Sequence, residues 1–236
     1  MTDTVLLNNV DHQALRVVTR RGVEYGDAVM AAVTFPAEFR NLQAHYPIVF
    51  RKSPEGTTFE PVALFGFAEG ENLFLRQRDW DAPYLPLAIE RLPFYIGMDG
   101  EELVVHVDLQ SPRISGQDGE AVFLPHGGSS EFLDRMTSVL LEIHQGLQST
   151  PAFIAALLEH ELLEAFVFEV ERANGAITRL SNFYTIHEER LAALGGDALH
   201  RLHRAGHLQA AYMAIASLSQ FRALIERQSR FDSDQA

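Results

Sequence analysis

The chain has 236 residues, 47% hydrophobic and 22% charged, with 32 acidic against 19 basic side chains and a formal net charge of −13. That length and composition suffice for a sizeable buried core, while the negative field repels phosphate backbones and anionic lipid, so nucleic acid is excluded as a partner. Cysteine is absent, which excludes disulfides, cysteine–zinc sites, iron–sulfur clusters and a cysteine nucleophile.

The N-terminus, MTDTVLLNNV, lacks the basic stretch and the long apolar run of a signal peptide. No segment approaches the ~18–20 apolar residues that span a bilayer. The expectation is a soluble, cytoplasmic protein without a membrane span. Ala37 to His45 reads as helix, followed by a strand at Pro47 to Arg51. Phe59 to Phe67 and Leu73 to Leu75 read as a strand pair across the turn Glu69-Gly70-Glu71-Asn72. Leu85 to Arg91 predicts one or two helical turns that Pro93 ends. Phe94 to Gly97 and Leu103 to Leu109 form a hairpin around Asp99-Gly100. Ser111 to Gly128, rich in Gly, Ser, Asp and Pro, is the longest predicted loop.

From Ser130 to Gln148 apolar residues recur at helical spacing, with Ser129 or Ser130 as the cap. Thr150-Pro151 starts a second helix, since proline suits a first helical position. Phe166 to Glu171 and Ala176 to Tyr184 then predict a hairpin around Asn174-Gly175. Helices follow at His187 to Leu194, Asp197 to Ala205 and His207 to Gln228, punctuated by glycines. This order predicts an α+β fold, with a mixed or antiparallel sheet from the first half joined by the late hairpin, and a helical C-terminal region. A single domain over 1–236 is the expectation; a division near 130 into a strand-rich and a helix-rich part is the alternative.

Several strings carry a family likeness. HYPIVF (His45 to Phe50), VALFGFAEGENLFL (Val62 to Leu75), W-x-x-P-Y-L-P (Trp80 to Pro86) and R-L-P-F (Arg91 to Phe94) resemble the SapC family. So do FYTIHEERLAAL (Phe183 to Leu194), LHRLHRAGHLQAAY (Leu199 to Tyr212) and SLSQ (Ser217 to Gln220). Members are soluble bacterial proteins, often labelled as surface-layer-associated or as peptide or multidrug transporters. The resemblance implies an accessory role in handling or modifying an imported peptide-like compound, through that ligand or a partner enzyme. A surface-layer assembly factor is a further alternative.

Few residues spell out chemistry. His106 and Asp108, two apart on a strand, share one face. With a later histidine, His160 being the best spaced and His126 and His144 its rivals, they would complete a two-histidine, one-carboxylate Fe(II) site. Arg172 could then hold 2-oxoglutarate, and an Fe(II)/2-oxoglutarate-dependent oxygenase is the enzymatic alternative. The plain reading is a strand edge, because His-x-Asp is common by chance. His200, His203 and His207 lie at helical spacing, but Gly206 interrupts them. His187-Glu188-Glu189 lacks the second histidine of a metalloprotease helix, with Leu191 in its place. No nucleophile elbow or nucleotide-binding glycine loop is present. Trp80, Tyr84 and Arg91, with Arg172, form a candidate surface for a peptide-like ligand or partner protein, with Trp80 expected on a partly exposed turn. The plain reading places Trp80 in the core. These residues leave open whether the chain catalyses anything.

Overall fold

A computed structural model describes residues 4–76, 79–172 and 175–234. In chain order its first elements are β1 (Thr4–Leu6), β2 (Arg16–Val17), β3 (Ala31–Val33), α1 (Phe39–Leu42), β4 (Ile48–Lys52) and β5 (Phe59–Leu64). There follow β6 (Leu75–Arg76), β7 (Asp79–Trp80), α2 (Leu87–Glu90), β8 (Phe94–Asp99), β9 (Glu102–Asp108), β10 (Ile114–Ser115) and β11 (Glu120–Ala121). The remainder comprises α3 (Glu131–Glu159), β12 (Leu163–Glu171), β13 (Ile177–Ile186), α4 (Glu188–Ala192), α5 (Gly196–Arg204), α6 (His207–Ser217) and α7 (Gln220–Asp234). The fold is α+β, as the residue pattern predicts.

The chain divides into two compact units. The first takes residues up to Asp27, Leu75–Trp80 and Leu87–Gln145; the second takes Ala28–Phe74, Asp81–Pro86 and everything from Gly146. The second unit is built on one sheet of order β12-β13-β4-β5-β3. Ile48, Val49 and Phe50 of β4 are all fully buried. A strand apolar on both faces belongs in the middle of a covered sheet, and that is where β4 lies. The late hairpin joins this sheet through Phe183 opposite Arg51 and Tyr184 opposite Phe50, the addition that its sequence predicts. Within the hairpin, Ser181 and Asn182 of β13 together oppose Val167 of β12, and Asn182 takes φ 68° to absorb the extra residue. Asn174 of the expected turn lies outside the described residues.

Aromatic rings fill the core of this unit. Tyr46 lies 5.4 Å from Phe65 and 4.7 Å from Phe74, and Phe39 meets Phe153 edge-on at 6.0 Å. The Tyr46 hydroxyl donates to the Tyr84 carbonyl. Tyr84 in turn donates to buried Glu38 at 3.1 Å, whose other oxygen accepts from Thr34 at 2.5 Å. Satisfied polar groups of this kind fix one arrangement of a core. Ser217, fully buried at the end of α6, accepts the Ile48 N–H at 2.8 Å and donates to the Ala214 carbonyl at 2.6 Å. Ser217→Ala would orphan that strand N–H, and a loss of about 1–3 kcal/mol in urea unfolding is expected.

In the first unit, β1-β9-β8 form an antiparallel sheet, with the hairpin at Asp99-Gly100 as predicted. The segment Ser111 to Gly128 is more ordered than its composition suggests. β10 and β11 both pair with β2, and a Cβ on Gly119 (φ 92°) would stand 2.1 Å from the Val17 carbonyl oxygen. Arg113 anchors the segment. Its guanidinium donates twice to Asp27, at 2.5 and 2.6 Å, and to the Val18 and Arg20 carbonyls.

Three other expectations are corrected. Residues 131–159 form one helix, not two, although Pro151 lies inside it. Proline removes one N–H at a cost of about 3 kcal/mol, and the buried Met136, Leu140, Phe153, Ile154 and Leu157 along the same helix outweigh that. β5 pairs with β3 and β4 instead of with Leu73 to Leu75; that segment meets Phe65, just past the end of β5, through the Leu73 N–H to the Phe65 carbonyl and through the Phe74 ring at 6.2 Å. The predicted helix His207 to Gln228 is two, α6 and α7, separated at Leu218-Ser219.

Candidate functional site

The second unit contains a cavity of about 290 Å³. α1 buries Phe39 and Leu42 and leaves Arg40 on its opposite side, at the cavity. α6 buries Ala210, Ala211, Ala214 and Ser217, small side chains that allow close packing. Its start is set by Gly206, whose φ of 76° breaks the helix after α5. No side chain caps that start, so the first N–H groups of α6 are not used by a capping residue. Phe153 of α3 supplies the floor, fully buried against Phe39 and Phe50. Ser149, His207, Gln209 and Met213 complete the lining that matters chemically.

Arg40 is exposed and has no carboxylate partner among the described residues. In a chain with such an acid excess, an unpaired guanidinium at a cavity is an available carboxylate receptor. Ser149 donates its hydroxyl to the Gly146 carbonyl at 2.8 Å, which ties it to its own helix and leaves it unprimed as a nucleophile. His207 lies edge-on to Phe153 at 5.6 Å, and burial lowers its pKa below the ordinary histidine value. The arrangement suits recognition: a cation and amide donors beside an apolar floor.

The sign of the His207 shift fixes a pH dependence. The unfolded chain takes up this proton near pH 6.5, the folded chain only at lower pH. Between those values the unfolded state holds more protons, so stability is lost as pH falls through that window. His207→Gln is expected to flatten the urea-midpoint slope between pH 7 and 5 relative to the parent protein.

The residues singled out from sequence are distributed otherwise. His106 and Asp108 lie on β9 in the first unit, and His160 lies just after α3 in the second. The His106 ring covers Gly97, where an added Cβ would come within 3.0 Å of its Nε2. Asp108 accepts the Gln110 N–H at 2.9 Å, and His160 is 3.9 Å from Glu159. Among the described residues no three His, Asp or Glu side chains are grouped to hold a metal. The oxygenase reading therefore has no support. Arg172 is also engaged: it pairs with Glu71 at 2.8 Å and Asp232 at 3.5 Å, and donates to Thr178 at 2.8 Å.

Trp80 is 7% exposed, so the expected exposed turn is corrected to a buried ring on β7. Arg91 lies over the Tyr95 ring at 4.3 Å and donates to the Phe94 carbonyl, and burial lowers its pKa. Tyr84 belongs to the Glu38 network of the second unit, whereas Trp80 and Arg91 belong to the first. Sequence reasoning missed Arg40, Ser149 and Gln209. Only the Gly206 break hinted at the site, by showing that a new helix begins at His207.

Antiparallel sheets with a helical C-terminal region make this an α+β protein, and among the described residues no helix is long and apolar enough to cross a membrane. The chain belongs to the SapC family, whose model matches residues 7–224. No curated protein and no solved structure matches it.

Proposed function

We propose that this chain is an accessory binding protein that holds the carboxylate end of a peptide-like compound in the Arg40 cavity. The observation that carries the reading is the exposed Arg40, without a carboxylate partner among the described residues, lining a cavity together with Phe153 and Met213. A volume of about 290 Å³ suits one terminal residue and its carboxylate better than a whole peptide. The guanidinium fork takes the carboxylate, and the apolar floor takes the last side chain. Ser149, tied to its own helix, argues for holding the compound over cleaving it.

Calorimetry with N-acetyl-leucyl-phenylalanine and its C-terminal amide tests this. A charge-assisted hydrogen bond contributes about 1.5–3 kcal/mol. The acid should bind at least ~10-fold more tightly than the amide, and Arg40→Met should abolish that preference. Equal binding of acid and amide to the parent protein would overturn the reading.

A further inference from the structure

The edge of the large sheet carries a second surface. β12 is the terminal strand of the five-stranded order, nine residues long, and among the described residues it pairs only with β13. The irregularity in that pair is absorbed by Asn182 on β13, so the outer edge of β12 is not bulged. Long regular edges of this kind are normally blocked, because their free N–H and C=O groups template another strand. Here Val167 is 50% exposed, and Ile177 across the hairpin is 67% exposed.

An apolar groove of about 530 Å³ runs beside this edge. Its lining combines Phe168 of β12 with Leu218 and with Phe221 and Ile225 of α7. Phe221 packs, with its ring tilted, against both Phe166 and Phe168, at 5.2 and 4.7 Å, so α7 covers the inner face of the edge strand and forms the far wall. The wall is held in place. Arg172 bonds Asp232 near the end of α7, and Arg227 donates to Asp81 at 2.6 Å while covering the Phe74 ring. A strand edge with a rigid apolar groove alongside is the geometry of strand addition: main-chain bonds give affinity, and alternate side chains give selectivity.

Charge selects the occupant. β12 carries Glu164, Glu169 and Glu171, and Glu226 lies at the groove. Against them stand Arg179, paired with Glu169 at 3.8 Å, His187, 3.8 Å from Glu164, and Arg222. Glu171 has no cationic partner among the described residues. A second copy of β12 would bring three more glutamates to the same ribbon, and like charges in register destabilise a strand pair.

We infer that the β12 edge docks an extended segment of a partner protein, alternating basic and apolar residues, by strand addition, with an apolar side chain in the Phe168–Phe221 groove. This surface is separate from the proposed carboxylate cavity. The probe is a seven-residue, N-acetylated, C-amidated peptide alternating lysine with valine or leucine, compared with its glutamate-for-lysine counterpart. The lysine peptide should bind the full chain, weaken with salt, and slow hydrogen exchange of β12 amides. Glu169→Lys with Glu171→Lys should weaken it at least tenfold, and Val167→Lys, at an exposed site, should do the same without changing thermal unfolding. Arg40→Met should leave it unchanged, which separates this test from the cavity's. Equal binding of the two peptides, no protection of β12, or a concentration-dependent homodimer that Val167→Lys dissolves would overturn the inference.

Discussion

Asp27→Ala is expected to lower stability by about 3–5 kcal/mol, the range for removing one partner of a buried ion pair. Asp27 is fully buried and Arg113 is 1% exposed. The carboxylate accepts two bonds from Arg113 and the Gly22 N–H at 2.9 Å, with Arg21 at 3.6 Å. Burial first, then repulsion from Arg113, pushes Arg21 down to about 10. Arg21 thus stays charged at neutral pH, and without Asp27 the Arg21 and Arg113 guanidinium groups would be left in the interior without their shared carboxylate. The loss should be strongly non-additive. Adding Arg113→Met to Asp27→Ala removes one orphaned charge, so the double variant should lose less than the sum of the singles in urea unfolding. Strict additivity would mean the pair is not coupled as its geometry implies.

Phe153→Ala should cost a comparable ~3–5 kcal/mol, because a fully buried aromatic leaves a void that its surroundings fill only in part. Phe153 touches Phe39, Phe50 and His207. Its loss therefore has a second readout. With the ring gone the His207 site opens to water, and the histidine should titrate closer to its ordinary value. Chemical denaturation checks the first effect and a proton NMR titration the second. A stable variant with an unmoved histidine would contradict the packing described.

Local signals in the sequence carried most of the elements. Asp99-Gly100 gave one hairpin, β-branched Ile48 and Val49 marked a strand, and Gly206 marked a helix break. What was not legible depended on distant partners. Pro151 reads as a helix start until the buried residues on both sides of it are seen to hold one continuous helix. The segment from Ser111 reads as a loop because nothing local reveals that Arg113 inserts between Asp27 and two carbonyls some ninety residues earlier. The candidate site was hidden for the same reason. Arg40, Ser149 and Gln209 occupy three separate helices and form no motif. His106-x-Asp108 formed a motif and lacked a third ligand among the described residues. Arg172 reads as a free cation in the sequence, whereas Glu71 and Asp232 already occupy it.

The carboxylate-holding role is tested most directly by following backbone amides of nitrogen-15-labelled protein during titration with N-acetyl-leucyl-phenylalanine. Saturable shifts are expected at Gly206 to Ala210, together with the Arg40 side chain, that vanish in Arg40→Met and do not occur with the amide. Shifts confined to other residues, or identical shifts from acid and amide, would contradict it.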